Sequence, residues 1–266
     1  SKLVMSTFDT VPSTKKEALV EMLLRLADDR LILGHRLSEW AGHGPELEED
    51  LALANAALDM IGHASSLYGY AAELEGKPDE DHYAYFRDDI DFKNIALMEP
   101  PRGDFAYTIA RLFLFSVYSY LLYRELTEKA DDEQYRGMLN KHFKEIQYHF
   151  RHSREWVLRL GDGTGESHRR IQEAFDELWM YTGEMFEMDE AAKAAAGHNL
   201  FTDVSSLKKE WLKLVSDTMD EATLTVPDDD QYMYSGARSG QHTEHLGRLL
   251  AEMQFLRRSY PDAEWK

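Results

Sequence analysis

EIQYHFRHSREW, residues 145–156, sets Glu145, His149, His152 and Trp156 three and four positions apart. That spacing belongs to one face of a helix. His142 extends this polar stripe by a turn, while Leu139, Phe143, Ile146, Phe150, Val157 and Leu160 form an apolar stripe beside it. Trp156 in the polar stripe implies that it is at least partly buried. Buried carboxylates and imidazoles need partners, or they cost a few kcal/mol each. The fold therefore turns on which other helices supply them.

The seven prolines, at 12, 45, 78, 100, 101, 227 and 261, leave 46–77 and 102–226 uninterrupted. Long proline-free stretches with 3.6-residue apolar spacing argue for helix. A first helix is predicted after Thr14, which forms a capping box with Glu17. Leu19, Leu23, Leu26, Leu33, Leu37 and Trp40 mark its face, and Gly42 and Gly44 end it. A second follows Pro45, opens with the acidic ELEED and runs to about Leu74. A third is capped by Asp104 and runs to about Ala130. The fourth runs from Glu133 to about Leu160. Further helices are expected at 167–188, 206–222 and 241–258, with 78–100 and 223–240 as long connections.

No alternating run suggests a strand. Helices of about 25 residues are about 38 Å long. The fold class is therefore all-α: a four-helix bundle, core about 14–160, with additional C-terminal helices at about 167–258, forming a single domain over 1–266.

The second helix supplies partners for the polar stripe. It is apolar nearly all round, through Leu51, Leu53, Leu58, Met60, Ile61, Leu67 and Leu74, which predicts a central position. Asp59, His63, Ser66 and Tyr70 draw a polar line through it, and Asp28, His35 and Glu39 draw a similar one on the first helix. Three helices thus offer carboxylate and imidazole to one interior, as in a di-iron carboxylate bundle. Such a bundle takes a Glu from each of two helices and Glu-x-x-His from each of two others. Carboxylates bridge and balance charge, and imidazoles complete the coordination.

The spacing departs from that pattern. Three residues after Asp59 stands Gly62, and three after Glu145 stands Tyr148. The histidines fall one place late, at His63 and His149, about 40° round the helix rather than about 60° the other way. From Phe105 to Arg124 the third helix has no carboxylate; Ser116, Ser119 and Tyr120 hold its middle. The ligand set is at least one short. The cluster Glu39, Asp59, His63, Glu145, His149 and His152 reads as a vestigial di-iron-like network, with no metal, cofactor or catalytic residue expected in this chain. An independent di-iron oxygenase or ferroxidase is the alternative.

Composition removes other classes. There is no cysteine, which excludes disulfides, thiolate metal sites and cysteine nucleophiles. The net charge of -19 argues against nucleic acid and anionic membrane surfaces as partners. The longest apolar run, IARLFLFSVYSYLLY at 109–123, is short of a span and contains Arg111. A soluble cytoplasmic protein beginning naturally at Met5 is expected. GDGTG at 161–165 follows a helix and lacks dinucleotide-loop spacing, so it reads as a linker. HTEH at 242–245 is not H-E-x-x-H and reads as a surface or interface feature. Arg169 with Arg170, and Arg257 with Arg258, are the basic pairs that coenzyme A phosphates would require. Phe113, Phe115, Tyr118, Tyr120 and Tyr123 make the third helix the expected partner-facing surface.

RLSEWAGHGPELEEDLALANAALDMIGHA (36–64), GDFAYTIAR (103–111), YHFRHSREWVLRLGDGT (148–164), EATLTVP (221–227) and HTEHLGRLLAEMQFL (242–256) resemble the C-subunit family of bacterial 1,2-phenylacetyl-CoA epoxidases. The blocks keep the family's order and span nearly the whole chain. The resemblance implies a ferritin-like fold and membership of a multicomponent oxygenase of aerobic phenylacetate breakdown. That complex epoxidises the ring of phenylacetyl-CoA with oxygen and electrons from an NADPH-dependent iron–sulfur flavoprotein reductase. It further implies that the di-iron site belongs to the related catalytic A subunit, that the C-type chain is its non-catalytic structural partner, and that a small bridging subunit joins the assembly. Self-association of the isolated chain into a homodimer is left open.

Overall fold

Thr14 starts the first helix by accepting from the backbone N–H of Glu17, and α1 runs Lys15–Ser38. The predicted capping box is shifted by one residue: the Glu17 carboxylate accepts from the backbone N–H and hydroxyl of Ser13, not from Thr14. The computed structural model describes residues 11–264, so the expected start at Met5 lies outside it. The helices that follow are α2 (Leu47–Glu75), α3 (Asp81–Ala84), α4 (Phe105–Lys129), α5 (Glu133–Gly161), α6 (Gly165–Leu178), α7 (Glu190–Gly197), α8 (Lys208–Glu221) and α9 (Glu244–Ser259). No strand occurs among the described residues. Gly76, at φ 66°, closes α2 in the left-handed conformation that suits glycine. Asp104 and Asp132 cap α4 and α5 through Tyr107 and Tyr135.

The four long helices form an antiparallel bundle. Gly34 lies against Met60 and Ala57, and Asp28 meets Tyr68, so α1 and α2 run in opposite directions. Phe105 packs on Trp156, Phe113 on Phe150 and Tyr120 on Phe143, which pairs α4 with α5 in the same sense. Trp40 donates to Thr108 and Asp59 meets His149, closing the square. One long crossover, 76–104, carries the chain from the end of α2 to the start of α4. All-α, with two antiparallel pairs and one crossover, this is the ferritin-like architecture.

The crossover runs along α1 and is fastened to it by charged side chains. Asp28, fully buried, accepts from the Tyr68 hydroxyl, from Arg87 and, at 2.7 Å, from the backbone N–H of Lys93. Asp29 accepts from the backbone N–H of Ile95 and from Arg238, each at 2.9 Å. Arg36 donates to the carbonyl of Glu99 and Arg102 to that of Glu39. Asp28 therefore serves the crossover, and its expected place on the interior polar line is corrected.

Three other expectations change. The 167–188 helix stops at Leu178, continues as two 3₁₀ turns, and is followed by α7, which the alanine-rich EAAKAAAG did not reveal. α2 is not central: Leu51 and Leu58 are exposed. The aromatic face of α4 is consumed inside the chain, because Phe113, Phe115, Tyr118 and Tyr123 are buried, against Phe175 and Phe186 among others. α4 is long and apolar enough to cross a membrane by length and composition, yet 83% of that window is buried within the protein.

The outer helices seal the bundle. Trp211 of α8 donates to the Leu114 carbonyl at 3.1 Å and packs on Trp179. Gln254 of α9 donates to the carbonyls of Ala84 and Arg87, tying the C-terminal helix to the crossover. Replacing Asp28 would leave the Arg87 guanidinium buried without its counter-charge. Asp28→Ala is expected to lower the unfolding free energy by about 3–5 kcal/mol, read by urea titration; a loss under about 1 kcal/mol would show the clamp to be dispensable.

Candidate functional site

The polar stripes of α2 and α5 meet in the bundle. His149 Nε2 lies 2.9 Å from Asp59 Oδ2, and His63 Nε2 lies 3.9 Å from Glu145 Oε2. His63 stacks on His142 with centroids 4.1 Å apart, and His142 Nε2 contacts the Ser66 hydroxyl at 3.0 Å. Four of the six expected residues are thus brought together: Asp59, His63, Glu145 and His149. Glu39 is not. It is the C-cap of α1 and pairs with Arg36 at 2.8 Å. His152 turns aside, taking the indole N–H of Trp156 and stacking on Tyr148. His35 stays beside Glu39.

The buried cation whose charge bears on this cluster is an arginine. Arg30 of α1 is 1% exposed, and no carboxylate pairs with it among the described residues. Its guanidinium reaches the Leu26 carbonyl and the Ser119 hydroxyl and lies 4.6 Å over the Tyr123 ring and 5.4 Å from that of Phe115. Cation–π contact offsets part of its burial cost. α4 contributes Ser119 here, which is buried. The two carboxylates lean outward, Asp59 with 32% and Glu145 with 44% of the side chain exposed.

Two irons ask for about four carboxylates converging on one interior. This interior brings together three imidazoles and a nearby guanidinium, with only two carboxylates, Asp59 and Glu145, both partly exposed. Among the described residues no group of three or more His, Asp or Glu side chains is placed to hold a metal ion. The donor set does not fit a di-iron centre, and no chemistry is derived through one.

Electrostatics follow from burial and from Arg30. Burial, then the neighbouring His142, Arg30 and His149, hold His63 down to about 2. Burial, then Arg30, hold His142 down to about 3. Both imidazoles are therefore neutral at ordinary pH. His242 behaves in the opposite way. HTEH is not a surface feature: His242 Nδ1 lies 2.7 Å from the buried Glu99 carboxylate and Nε2 lies 2.7 Å from the Phe92 carbonyl. Burial pulls its pKa down, the hydrogen bond and charge of Glu99 outweigh it, and the net shift is upward.

The basic pairs are committed elsewhere. Arg169 and Arg170 pair with Glu166, Arg257 with Asp81 and Arg258 with Asp88.

Residues 5–265 match the family described as phenylacetic acid catabolic protein. The chain belongs to this family. It is 44% identical over 247 residues, 93% of this chain and 99% of the relative, to the C subunit of 1,2-phenylacetyl-CoA epoxidase from Escherichia coli (strain K12). Within this member of the phenylacetic acid catabolic family, the residue missed by sequence reasoning is Arg30. Its signal was the gap between Leu26 and Leu33 in the apolar stripe of α1, which position 30 fills on the helical rhythm.

His63 and His142 bind protons more readily in the unfolded chain, where their ordinary value is 6.5, than in the fold. Their stabilisation is complete above that value and is lost as pH falls below it, by up to about 1.4 kcal/mol per pH unit for each histidine. Arg30→Met removes a charge that disfavours both imidazolium forms. It is expected to make the acid limb of a stability–pH profile shallower and to leave neutral stability unchanged or improved. An unchanged acid limb would remove Arg30 from the electrostatics of this cluster.

Proposed function

We propose that this chain is the structural, non-catalytic subunit of a multicomponent 1,2-phenylacetyl-CoA epoxidase, supporting a di-iron catalytic A subunit. Ring epoxidation takes place in that partner, with dioxygen as oxidant and electrons delivered from the reductase, and a small bridging subunit joins the assembly. The observation that carries the reading is Arg30. A fixed positive charge stands in the bundle interior, its guanidinium reaching the Ser119 hydroxyl, where charge balance for two metal cations would call for carboxylates. The 44% identity to an epoxidase C subunit, extending over 99% of that relative, supports the same role.

In this reading the polar groups of the interior act on the fold. The His149–Asp59 contact joins α5 to α2, and Arg30 joins α1 to α4 through Ser119. The chain would present a shaped, stable bundle to its partner and leave oxygen chemistry to it.

The test is metal analysis of each chain after co-expression with the A subunit in iron-rich medium, followed by separation. Iron is expected with the A subunit and well below one atom per copy of this chain. About two irons per copy here, the content of a di-iron bundle, would overturn the reading in favour of an oxygenase or ferroxidase active in its own right.

A further inference from the structure

The outer face of α2 carries four large apolar side chains in water: Leu47, Leu51, Leu58 and Ile61, with 73, 53, 68 and 37% of each residue exposed. They recur at steps of four, seven and three residues and lie on one side of the helix, opposite Leu53, Met60 and Leu67 in the core. A contiguous apolar stripe of this kind marks a contact surface.

Two further observations describe what covers it. Gly62 lies within this face and Gly69 two turns further along α2, and a Cβ at either would meet nothing within 4 Å. Glycine in a helix interior costs up to about 1 kcal/mol relative to alanine, and this chain places nothing in the space. A helix passing close over α2 would use it. The face is also edged by Asp59 and Glu145, whose own partners are the imidazoles of His149 and His63. His63 is held neutral. No lysine or arginine among the described residues pairs with either carboxylate, so the surface is complementary to an apolar helix bearing a basic side chain.

A second copy of this chain would fit poorly. A two-fold contact sets the same patch against itself and would bring the Asp59 and Glu145 carboxylates toward their own images, in a chain already at -19.

We propose that this face of α2 and α5 docks a helix of the catalytic A subunit. An apolar stripe of that helix covers Leu47, Leu51, Leu58 and Ile61, and a lysine or arginine on it reaches Asp59 and Glu145. The assignment rests on the subunit reading above.

The experiment measures association of purified full-length chain with the A subunit by light scattering and titration, for the wild type, Leu58→Glu, Gly62→Leu and a control, Phe255→Glu, on the exposed end of α9. Each change is at an exposed position, and circular dichroism checks that each variant folds. The wild type and Phe255→Glu are expected to bind alike, with Leu58→Glu and Gly62→Leu weaker by roughly 30-fold or more. Wild-type binding with both α2 variants unaffected would overturn the docking face while leaving the subunit reading intact. Failure of the wild type to bind would overturn the subunit reading itself. A homodimer of the isolated chain that Leu58→Glu dissociates would assign the face to a second copy instead.

Discussion

A four-helix bundle with one crossover must place a long non-helical segment against a helix that is already packed on its other side. The backbone groups of that segment have no ladder of their own and little water, so side chains must satisfy them. Here α1 does this with consecutive aspartates. Asp28 takes the N–H of Lys93 and Asp29 that of Ile95, while Arg87 and Arg238 balance their charge. The C-terminal segment is bound to the same clamp, because Arg238 comes from the loop before α9. Glu184 accepts from Ala96 and Ala237 and Gln254 from α9 donates to Arg87, so the crossover, α1 and the C-terminal third hold one another. The opposite face of α1 is thereby left to carry Arg30 into the bundle.

What could be read from the sequence follows from which forces are local. The four long helices were legible because their caps and apolar periods lie within each segment: Thr14 and Asp104 cap the helices they were expected to cap. The meeting of Asp59, His63, Glu145 and His149 was legible for the same reason, since each pair sits one turn apart on its helix. What escaped were choices between faces. Arg30 fills a gap in the apolar stripe of α1, but nothing local says that Asp28, two residues away, turns to the crossover, because its partners Arg87 and Lys93 are distant in sequence. α2 looked central because its composition is apolar all round, but composition does not distinguish a core stripe from a docking stripe. His242 looked superficial because its partner, Glu99, is distant in sequence. α7 lacked a stripe because alanine makes both its faces alike.

The polar interior is better understood through Arg30 than through its histidines. A neutral imidazole keeps the lone pair that a metal needs, and burial keeps His63 and His142 neutral. Protonation therefore gives no reason for them to lack a ligand role. The obstacle lies in charge balance. A metal pair brings several positive charges into low dielectric and is tolerated because bridging carboxylates cancel them. This bundle interior already holds the Arg30 cation, which makes no carboxylate pair among the described residues and rests on two aromatic rings and a few oxygen dipoles. Its two nearby carboxylates face outward.

That outward lean connects the interior to the surface. Asp59 and Glu145 each keep one side toward an imidazole and the other toward solvent beside the leucines of α2. Drawn inward as metal ligands, they would leave that surface wholly apolar and open to unselective association. Left at the rim, they add a charge requirement to an apolar stripe, which restricts the partners that can cover it. The buried imidazoles and the polarity of the α2 face are thus linked through the same two side chains.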